Sequence, residues 1–510
     1  MLRTLTNKKG IVLSFASGIL LSLSFLNFGL DWFVWFGLVP LLIVIEREDN
    51  YKFLLKKSAL CGIVFFGAGL YWLYFTTAFG LIIVTLYTAS YVVLFSLLLK
   101  FINNRKALSP LKRLFLIPSL WILTEYARGH LFTGFGWAAL GYSQYENLKL
   151  IQIADFCGVY GVSFLIVLVN AAIAEVVINI RPLFLFNKKV LIRTCGVVFM
   201  ALSLVLLVYI YGDIKLNTTA PPEEEVKISI IQGNIKQSQK WHPFYKSLIL
   251  KKYKMLTKMA SFDEPDIIIW PETSLPGYLD ESELFKEIKE LARDIEIPLL
   301  IGAARIDSCE QKYYNSAVLF SKKGSLLNVY DKIHLVPFGE YIPFDFIFGF
   351  LRNYAEIADF SRGEIHTIFD VKRVDFGVLI CFEDIFPGLV RTFVARGADF
   401  MVNITNDAWF LKSSEPYQHL SNSVFRAVEN RINVVRAANT GISCFIDPYG
   451  RITGKVSSKG EDIFVEGYRT ETIKINRINS FYSRFGDVFI LIALITATGC
   501  VLGAGIKKTF

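Results

Sequence analysis

Eight strongly apolar segments, at about residues 11 to 27, 32 to 45, 58 to 78, 80 to 99, 114 to 124, 158 to 180, 195 to 211 and 487 to 505, bracket one polar stretch spanning roughly residues 215 to 485. Such segments must be buried in lipid or in protein. Several reach the roughly 20 residues that a bilayer crossing needs, whereas the second and fifth are short by that measure and would be re-entrant if they did not cross. With 53% hydrophobic and 15% aromatic residues the chain is more apolar than a soluble chain of its length, and its mean hydropathy is +0.44. The expected architecture is a multipass helical membrane domain of eight transmembrane helices carrying one soluble α/β domain. Residues 1–212 would hold seven of the helices, 213–486 the soluble domain, and 487–510 the eighth helix and a tail.

Charge placement supports crossing by all eight. If each segment spans, one side receives Arg3, Lys8 and Lys9; Arg47, Lys52, Lys56 and Lys57; Lys100, Arg105, Lys106, Lys112 and Arg113; Arg181, Lys188, Lys189 and Arg193; and Lys507 and Lys508. The short loops opposite hold little beyond Arg128 and Lys149. Lys/Arg-rich loops stay in the cytoplasm, so both termini are expected there and the polar domain in a periplasm-like space. Omitting either short span breaks the alternation. The eighteen basic residues on the rich side face only Glu46, Glu48 and Asp49, so the rest of the chain is net −6 against a total of +9. The basic balance is therefore a topology signal, and it gives no support to nucleic-acid binding. A cleavable signal peptide is the alternative for the first span, but that span runs into another hydrophobic segment with no persuasive cleavage site.

The seven cysteines, Cys61, Cys157, Cys195, Cys309, Cys381, Cys444 and Cys500, are odd in number and scattered, unlike a disulfide framework or the paired spacing of a metal site. Within the polar stretch, strand-like runs begin at Val226, Asp266, Pro298, Val374, Phe400 and Ile432. Helical patterns with one apolar stripe cover 282–295, 387–396 and 415–431, and a hairpin is expected around 441–451. This alternation reads as a layered α/β sandwich.

Three strand ends carry reactive groups. Cys381 ends the apolar run from Val374, Glu272 follows Ile267 to Pro271, and Lys332 follows Val329 to Asp331. An α/β fold presents such ends to a cleft. A thiol attacks as thiolate, so an ammonium at Lys332 is expected to lower the Cys381 pKa and to face the oxyanion of a tetrahedral intermediate, while Glu272 takes and returns a proton. Each residue alone also fits a bland role: a core cysteine, a solvated loop carboxylate, a surface lysine. Their recurrence at three apolar strand ends is what argues for a site.

These residues sit in blocks that carry a family resemblance. Trp270-Pro-Glu-Thr273, Lys332 with His334-Leu-Val-Pro-Phe-Gly-Glu-Tyr341, and Ile380-Cys-Phe-Glu-Asp384 resemble the three signature blocks of the nitrilase (carbon-nitrogen hydrolase) superfamily. That superfamily uses Glu-Lys-Cys on an α-β-β-α sandwich. With the flanking apolar segments, the chain resembles the apolipoprotein N-acyltransferase family over nearly its whole length. Gln232 to Ile235, Thr405 to Phe410, Gln418-His419, Phe425 to Glu429, Arg436 to Gly441 and Gly134 to Gln144 also resemble family blocks. Leu411 stands where a glycine is expected and Gly136 where a proline is expected, which puts the local loop shape in doubt.

The resemblance implies a two-step acyl transfer at a bacterial inner membrane, with the catalytic domain periplasmic. Cys381 would take a fatty acyl chain from a phospholipid donor as a thioester, with Lys332 facing the oxyanion. The N-terminal amine of a diacylated apolipoprotein would then accept the chain, with Glu272 handling the proton. The chemistry so implied uses no cofactor, metal or nucleic acid, and its partners are the two substrates and the bilayer. Glu340 would support the triad electrostatically, and Glu383 would either orient Lys332 or form a structural salt bridge. Trp241, Tyr341, Phe382 and Trp409 are candidate substrate-binding aromatics, with interfacial or core packing the alternative for the tryptophans.

The apolar segment from Tyr341 to Leu351, with Phe344, Phe346 and Phe348, would lie exposed in a soluble enzyme. Beside a bilayer it can dip into the interface, and a buried helix is the other reading. Two further function classes are a membrane-tethered amidase with the same triad, for which eight spans are excessive, and a transporter or receptor with a degenerate domain, which would be expected to lose a triad residue. The orientation is testable in cells. In a cysteine-reduced variant, Ser282→Cys should react with an impermeant maleimide and Ser109→Cys should not; reversed labelling would overturn the expected topology.

Overall fold

The computed structural model describes residues 6–218, 222–307, 311–342, 345–349, 359–503 and 505–506. Arg3, Cys309, Phe344, Leu351, Lys507, Lys508 and the side chain of Phe348 lie outside the described residues. The chain divides into two compact units: Met1–Thr218 together with Phe485–Phe510, and Thr219–Arg484.

The first unit is helical: α1 (Asn7–Leu23), α2 (Val39–Arg47), α3 (Tyr51–Gly69), α4 (Ala78–Arg105), α5 (Pro110–His130), α6 (Ala154–Ile178) and α7 (Lys188–Asn217), with one late helix at Val488–Leu502. Among the described residues, three helices are long and apolar enough to cross a membrane: α4, α6 and α7. Three of the eight expected crossings fall on these helices, and the expected eighth falls on the shorter apolar helix Val488–Leu502.

The second expected span is interrupted: a one-turn helix, Val34–Gly37, precedes α2. Asn170 of α6 serves the break, accepting from Leu38 N and donating to Val34 O, each at 2.9 Å. A side-chain amide can in this way satisfy backbone that leaves the helical ladder inside an apolar setting. Conversely, α5 outruns the apolar run 114–124 because its later charges are buried and bonded. Glu125 accepts from Trp121 Nε1 at 2.8 Å and Leu140 N at 2.9 Å, and Arg128 donates to Phe135 O at 3.2 Å. Helix α7 continues through Asp213 to Asn217, so the boundary expected at 212/213 falls inside it.

In the second unit, two six-stranded sheets lie between helices. The strands of the first are β1 (Glu224–Gln232), β2 (Ile267–Ile269), β3 (Leu299–Asp307), β4 (Lys312–Phe320) and β5 (Leu326–Asp331); those of the second are β6 (Ile368–Val371), β7 (Val374–Ile380), β8 (Phe400–Thr405), β9 (Asn433–Ala438), β10 (Cys444–Ile446) and β11 (Ile452–Lys455). A last strand, β12 (Gly467–Ile475), joins the first sheet beside β1. The orders are β12-β1-β2-β3-β4-β5 and β11-β10-β9-β8-β7-β6. In each sheet the central pairs, β1 to β3 and β7 to β9, are parallel and the outer pairs antiparallel.

Central parallel strands are covered on both faces, which is why β2, β8 and β9 are wholly buried; β2 is apolar throughout, while β8 and β9 also carry buried polar residues such as Asn403 and Arg436. The helix at 282–295 presents Leu284, Ile288, Leu291 and Ala292 at i, i+4, i+7 and i+8 to the first sheet, alongside Leu250, Tyr253 and Leu256 of the helix at 246–261. Helices at 387–395 and 415–430 pack on the second sheet. The expected α-β-β-α layering is present, and β4, β6, β12 and the extent of β5 are additions to the reading made from sequence.

The layering delivers Glu272 past the end of β2, Lys332 past β5 and Cys381 past β7. Gly302 of β3 shows how closely the Glu272 loop is laid down. A Cβ there would stand 2.3 Å from Pro271 O and 2.6 Å from Glu272 Cα, while Ser274 N donates to Gly302 O at 2.8 Å. Gly302→Ala should therefore push the Glu272 loop off the sheet, costing about 1–3 kcal/mol in stability and about 10²-fold in turnover. Gly388→Ala, where an added Cβ meets nothing within 4 Å, is the control. Equal melting temperature and turnover in both variants would show that this contact does not set the loop.

Candidate active site

Cys381 opens a 3-10 turn, Cys381–Ile385, directly after β7, with φ at +55°. Thr273, next to Glu272, has φ at +41°. Non-glycine residues are held in this region only when their surroundings over-determine them, and such positions cluster at functional sites. Behind Cys381, its carbonyl accepts from Asn403 Nδ2 at 3.1 Å.

Lys332 is buried at 1% exposure. Its Nζ lies 2.9 Å from Glu340 Oε1 and 3.7 Å from Glu272 Oε1. Asn315 of β4 joins the two carboxylates, donating from Nδ2 to Glu272 Oε1 at 2.8 Å and to Glu340 Oε1 at 3.0 Å. Glu340 is further fixed by Val336 N at 2.8 Å. The structure thus brings Glu272, Lys332 and Glu340 into one hydrogen-bonded group beside Cys381. Burial pulls the lysine pKa down, but Glu340 and Glu272 outweigh it and hold the ammonium above the ordinary lysine range.

Cys381 corrects an expectation. Desolvation and the nearby Glu272 push its thiol well above the ordinary cysteine range, and Lys332 pulls it back only in part. Lys332 shares its charge with two carboxylates, at 2.9 and 3.7 Å, which limits how far it lowers the thiol pKa.

Glu383 is fully buried and makes no ion pair with Lys332 within the salt-bridge distance; it acts on the backbone. Its carboxylate accepts from Tyr330 Oη at 2.9 Å, Ile333 N at 2.8 Å, His334 N at 2.9 Å and Ile380 N at 2.8 Å. One side chain therefore ties both flanks of Lys332 to the residue before Cys381. Burial raises its pKa to about 7, and the N–H groups of His334 and Ile380 oppose that rise.

A second buried ion network lies under the turn. His419 Nε2 bonds Asp384 Oδ1 at 3.0 Å and His419 Nδ1 bonds Asp407 Oδ1 at 3.1 Å. Arg436 donates to Asp384 Oδ2 at 3.0 Å and to Ser423 Oγ at 2.9 Å. Although burial disfavours a charged imidazole, Asp384 and Asp407 raise His419 to about 10. Asp407 is lowered despite its burial, chiefly by His419, and burial raises Glu415 well above the carboxylate range. Asp407, Glu415 and His419 are metal-ligating types within reach of one another. Here the charges of His419 and Arg436 already match the carboxylates, and the cluster serves as an internal brace.

Of the candidate aromatics, Trp241 is 47% and Trp409 51% exposed. The Trp241 ring lies 6.2 Å from that of Tyr278. Phe382 is instead buried, with its ring 5.2 Å from Phe386, and Tyr341 is half-buried, its carbonyl accepting from Phe338 N at 2.7 Å. Phe346, in the apolar segment after Tyr341, is 86% exposed. Leu411 has φ at +53° and ψ at −159°, a conformation natural to the glycine expected there, so this chain carries strain beside Trp409. Asn315, Tyr330, Lys240 and the His419 network were not assigned roles from sequence. His419 and Arg436 stood in the family-like blocks, but no strand end or spacing marked them.

Comparison with known proteins follows the two units. Residues 17–172 match the apolipoprotein N-acyltransferase N-terminal domain, and residues 227–478 match the carbon-nitrogen hydrolase domain. Over 513 residues the chain is 38% identical to the apolipoprotein N-acyltransferase of Geobacter metallireducens, covering 98% of this chain and 94% of that one. It is 33% identical over 477 residues to the apolipoprotein N-acyltransferase of Nitrosomonas europaea, covering 89% and 90%. The crystal structure of Saccharomyces cerevisiae Nit3, a member of the nitrilase superfamily, aligns with 53% of this chain and 97% of its own at 19% identity and a TM-score of 0.38. The chain belongs to the apolipoprotein N-acyltransferase family and is an acyltransferase with a nitrilase-like α/β domain.

Proposed function

We propose that this enzyme transfers a fatty acyl chain from a membrane phospholipid to the free N-terminal amine of a diacylglyceryl-cysteine on an apolipoprotein, through a thioester on Cys381. The observation that carries this reading is Cys381 at a strained strand end, with Lys332 held by Glu340 at 2.9 Å and Glu272 at 3.7 Å.

In the first step Glu272 takes the thiol proton as sulfur attacks the ester carbonyl, and the oxyanion faces Lys332. Collapse breaks the ester C–O bond, and the lysophospholipid oxygen leaves with the proton held by Glu272. In the second step the acceptor amine attacks the thioester and gives its proton to Glu272. The C–S bond breaks, and the sulfur recovers that proton. An α-amine has a reference pKa near ~8, so a neutral fraction is available at neutral pH. Glu272, Lys332 and Cys381 carry the chemistry, while Glu340 and Glu383 position Lys332. Trp241, Tyr341, Phe382 and Trp409 are proposed as the aromatic wall against the substrates, Phe382 from its buried position.

The lipid substrates and the basic loops support placement in a bacterial inner membrane with eight crossings, the catalytic domain periplasmic and both termini cytoplasmic. On this reading, residues 1–212 and 487–510 are the membrane parts and 213–486 the catalytic domain. Exposed Phe346 supports a lipid-facing role for its segment.

A transferase must keep its thioester from water until the amine arrives, whereas a hydrolase need not. Purified enzyme given phospholipid alone should gain one fatty-acyl mass on Cys381, labile to hydroxylamine. A diacylated lipopeptide with a free N-terminal amine should discharge it into an amide, an N-acetylated lipopeptide should not, and Cys381→Ala should never load. Rapid release of free fatty acid with no trapped adduct would favour a membrane-bound amidase instead.

A further inference from the structure

Lys240 ends a one-turn helix, Gln237–Lys240, just before Trp241. Its residue is 4% exposed, and Nζ donates to the main-chain carbonyl of Glu272 at 3.0 Å. An ammonium carries three donors, so a buried one with a single acceptor has bonding capacity to spare, at a real desolvation cost. The titratable groups that act on it electrostatically are Glu272, from the loop after β2, and Cys381, from the end of β7.

The charge balance of the site gives this capacity a use. Around Cys381, Lys332 is the cation shared by Glu272 and Glu340, at 3.7 and 2.9 Å. As the oxyanion forms, the proton taken by Glu272 neutralises that carboxylate, so negative charge moves from Glu272 onto the acyl oxygen while Lys332 stays bonded to Glu340 at 2.9 Å. A second buried cation offsets the charge on that oxygen, and a donor fixed in a low-dielectric site costs no reorganisation at the moment of reaction.

We propose that Lys240 is a second catalytic cation of this active site, whose free N–H groups bond the oxygen that becomes the oxyanion when Cys381 attacks the acyl donor. The assignment rests on the acyl-transfer reading above. Lys240 donates hydrogen bonds only: no bond to it forms or breaks, and the thiol proton still passes to Glu272 and on to the leaving oxygen. Its hold on the Glu272 carbonyl places the base and the donor on one frame. Burial lowers the Lys240 pKa to about 8, with Glu272 and Cys381 opposing the fall. The charged form therefore predominates below about pH 8 and is lost above it.

The test is single-turnover loading of Cys381 in the full-length enzyme in detergent, from pH 6 to 10, with phosphatidylglycerol as donor because its headgroup has no amine. Lys240→Gln keeps an amide donor for the Glu272 carbonyl and removes the charge. It should load about 10²-fold more slowly at pH 7 and lack the fall in rate that the wild type shows as pH rises through about 8. Loading of the Gln variant within about threefold of wild type at pH 7, or an unchanged pH profile, would reduce Lys240 to a prop for the Glu272 loop and overturn the proposal. Melting temperatures identify a misfolded variant. In that case the wild-type profile decides alone, and a rate that does not fall through about pH 8 overturns the assignment. A wild type that forms no adduct on Cys381 at any pH instead removes the acyl-transfer reading itself.

Discussion

One buried carboxylate organises the catalytic end of the α/β domain. Glu383 takes bonds from the residues that flank Lys332 and from Ile380, so the loop after β5 and the turn after β7 cannot shift independently. Backbone N–H groups left unpaired in such a place would each cost about 1–3 kcal/mol. The carboxylate thus satisfies donors that two strand ends necessarily leave over, and in doing so it fixes the spacing between ammonium and thiol. The His419, Asp384 and Arg436 network braces the same turn from below through Asp384. Cys381, the proposed nucleophile, consequently rides on a turn held by buried charge on both sides, which is how its positive φ persists.

The raised pKa of the Cys381 thiol follows from the same arrangement. An ammonium lowers a thiol's pKa only to the extent that its charge is free, and Lys332 is shared between Glu340 and Glu272. A reaction that must not waste its acyl group on water gains from this. A thiol that ionises only when its base takes the proton is also a good leaving group only when that proton can return. Asn315, by bonding both carboxylates, fixes the Glu272 side chain next to Glu340.

Much of the helical unit was legible because bilayer-grade apolar runs and basic loops are long-range compositional signals. The interrupted second segment was legible only as a short run. Its repair by Asn170, some 130 residues later in the chain, was not, because nothing local to residues 32 to 45 reports a partner on α6. Glu125 and Arg128 ended the apparent span at 124 for the complementary reason: a hydropathy reading charges them the full cost of exposure to lipid, whereas the fold buries and bonds them.

By itself the sequence determined the two-part architecture, the central strands and their polar ends, since continuous apolar runs closed by Glu272, Lys332 and Cys381 leave little choice in an α/β sandwich. Tertiary structure alone decided how those ends work. Whether Glu383 pairs with Lys332 or grips its backbone, whether Lys332 ionises the thiol or is held by carboxylates, and whether Lys240 reaches the Glu272 carbonyl all depend on distances of a few ångströms between segments tens to hundreds of residues apart. Local pattern encodes which face a side chain takes. It does not encode which partner waits there.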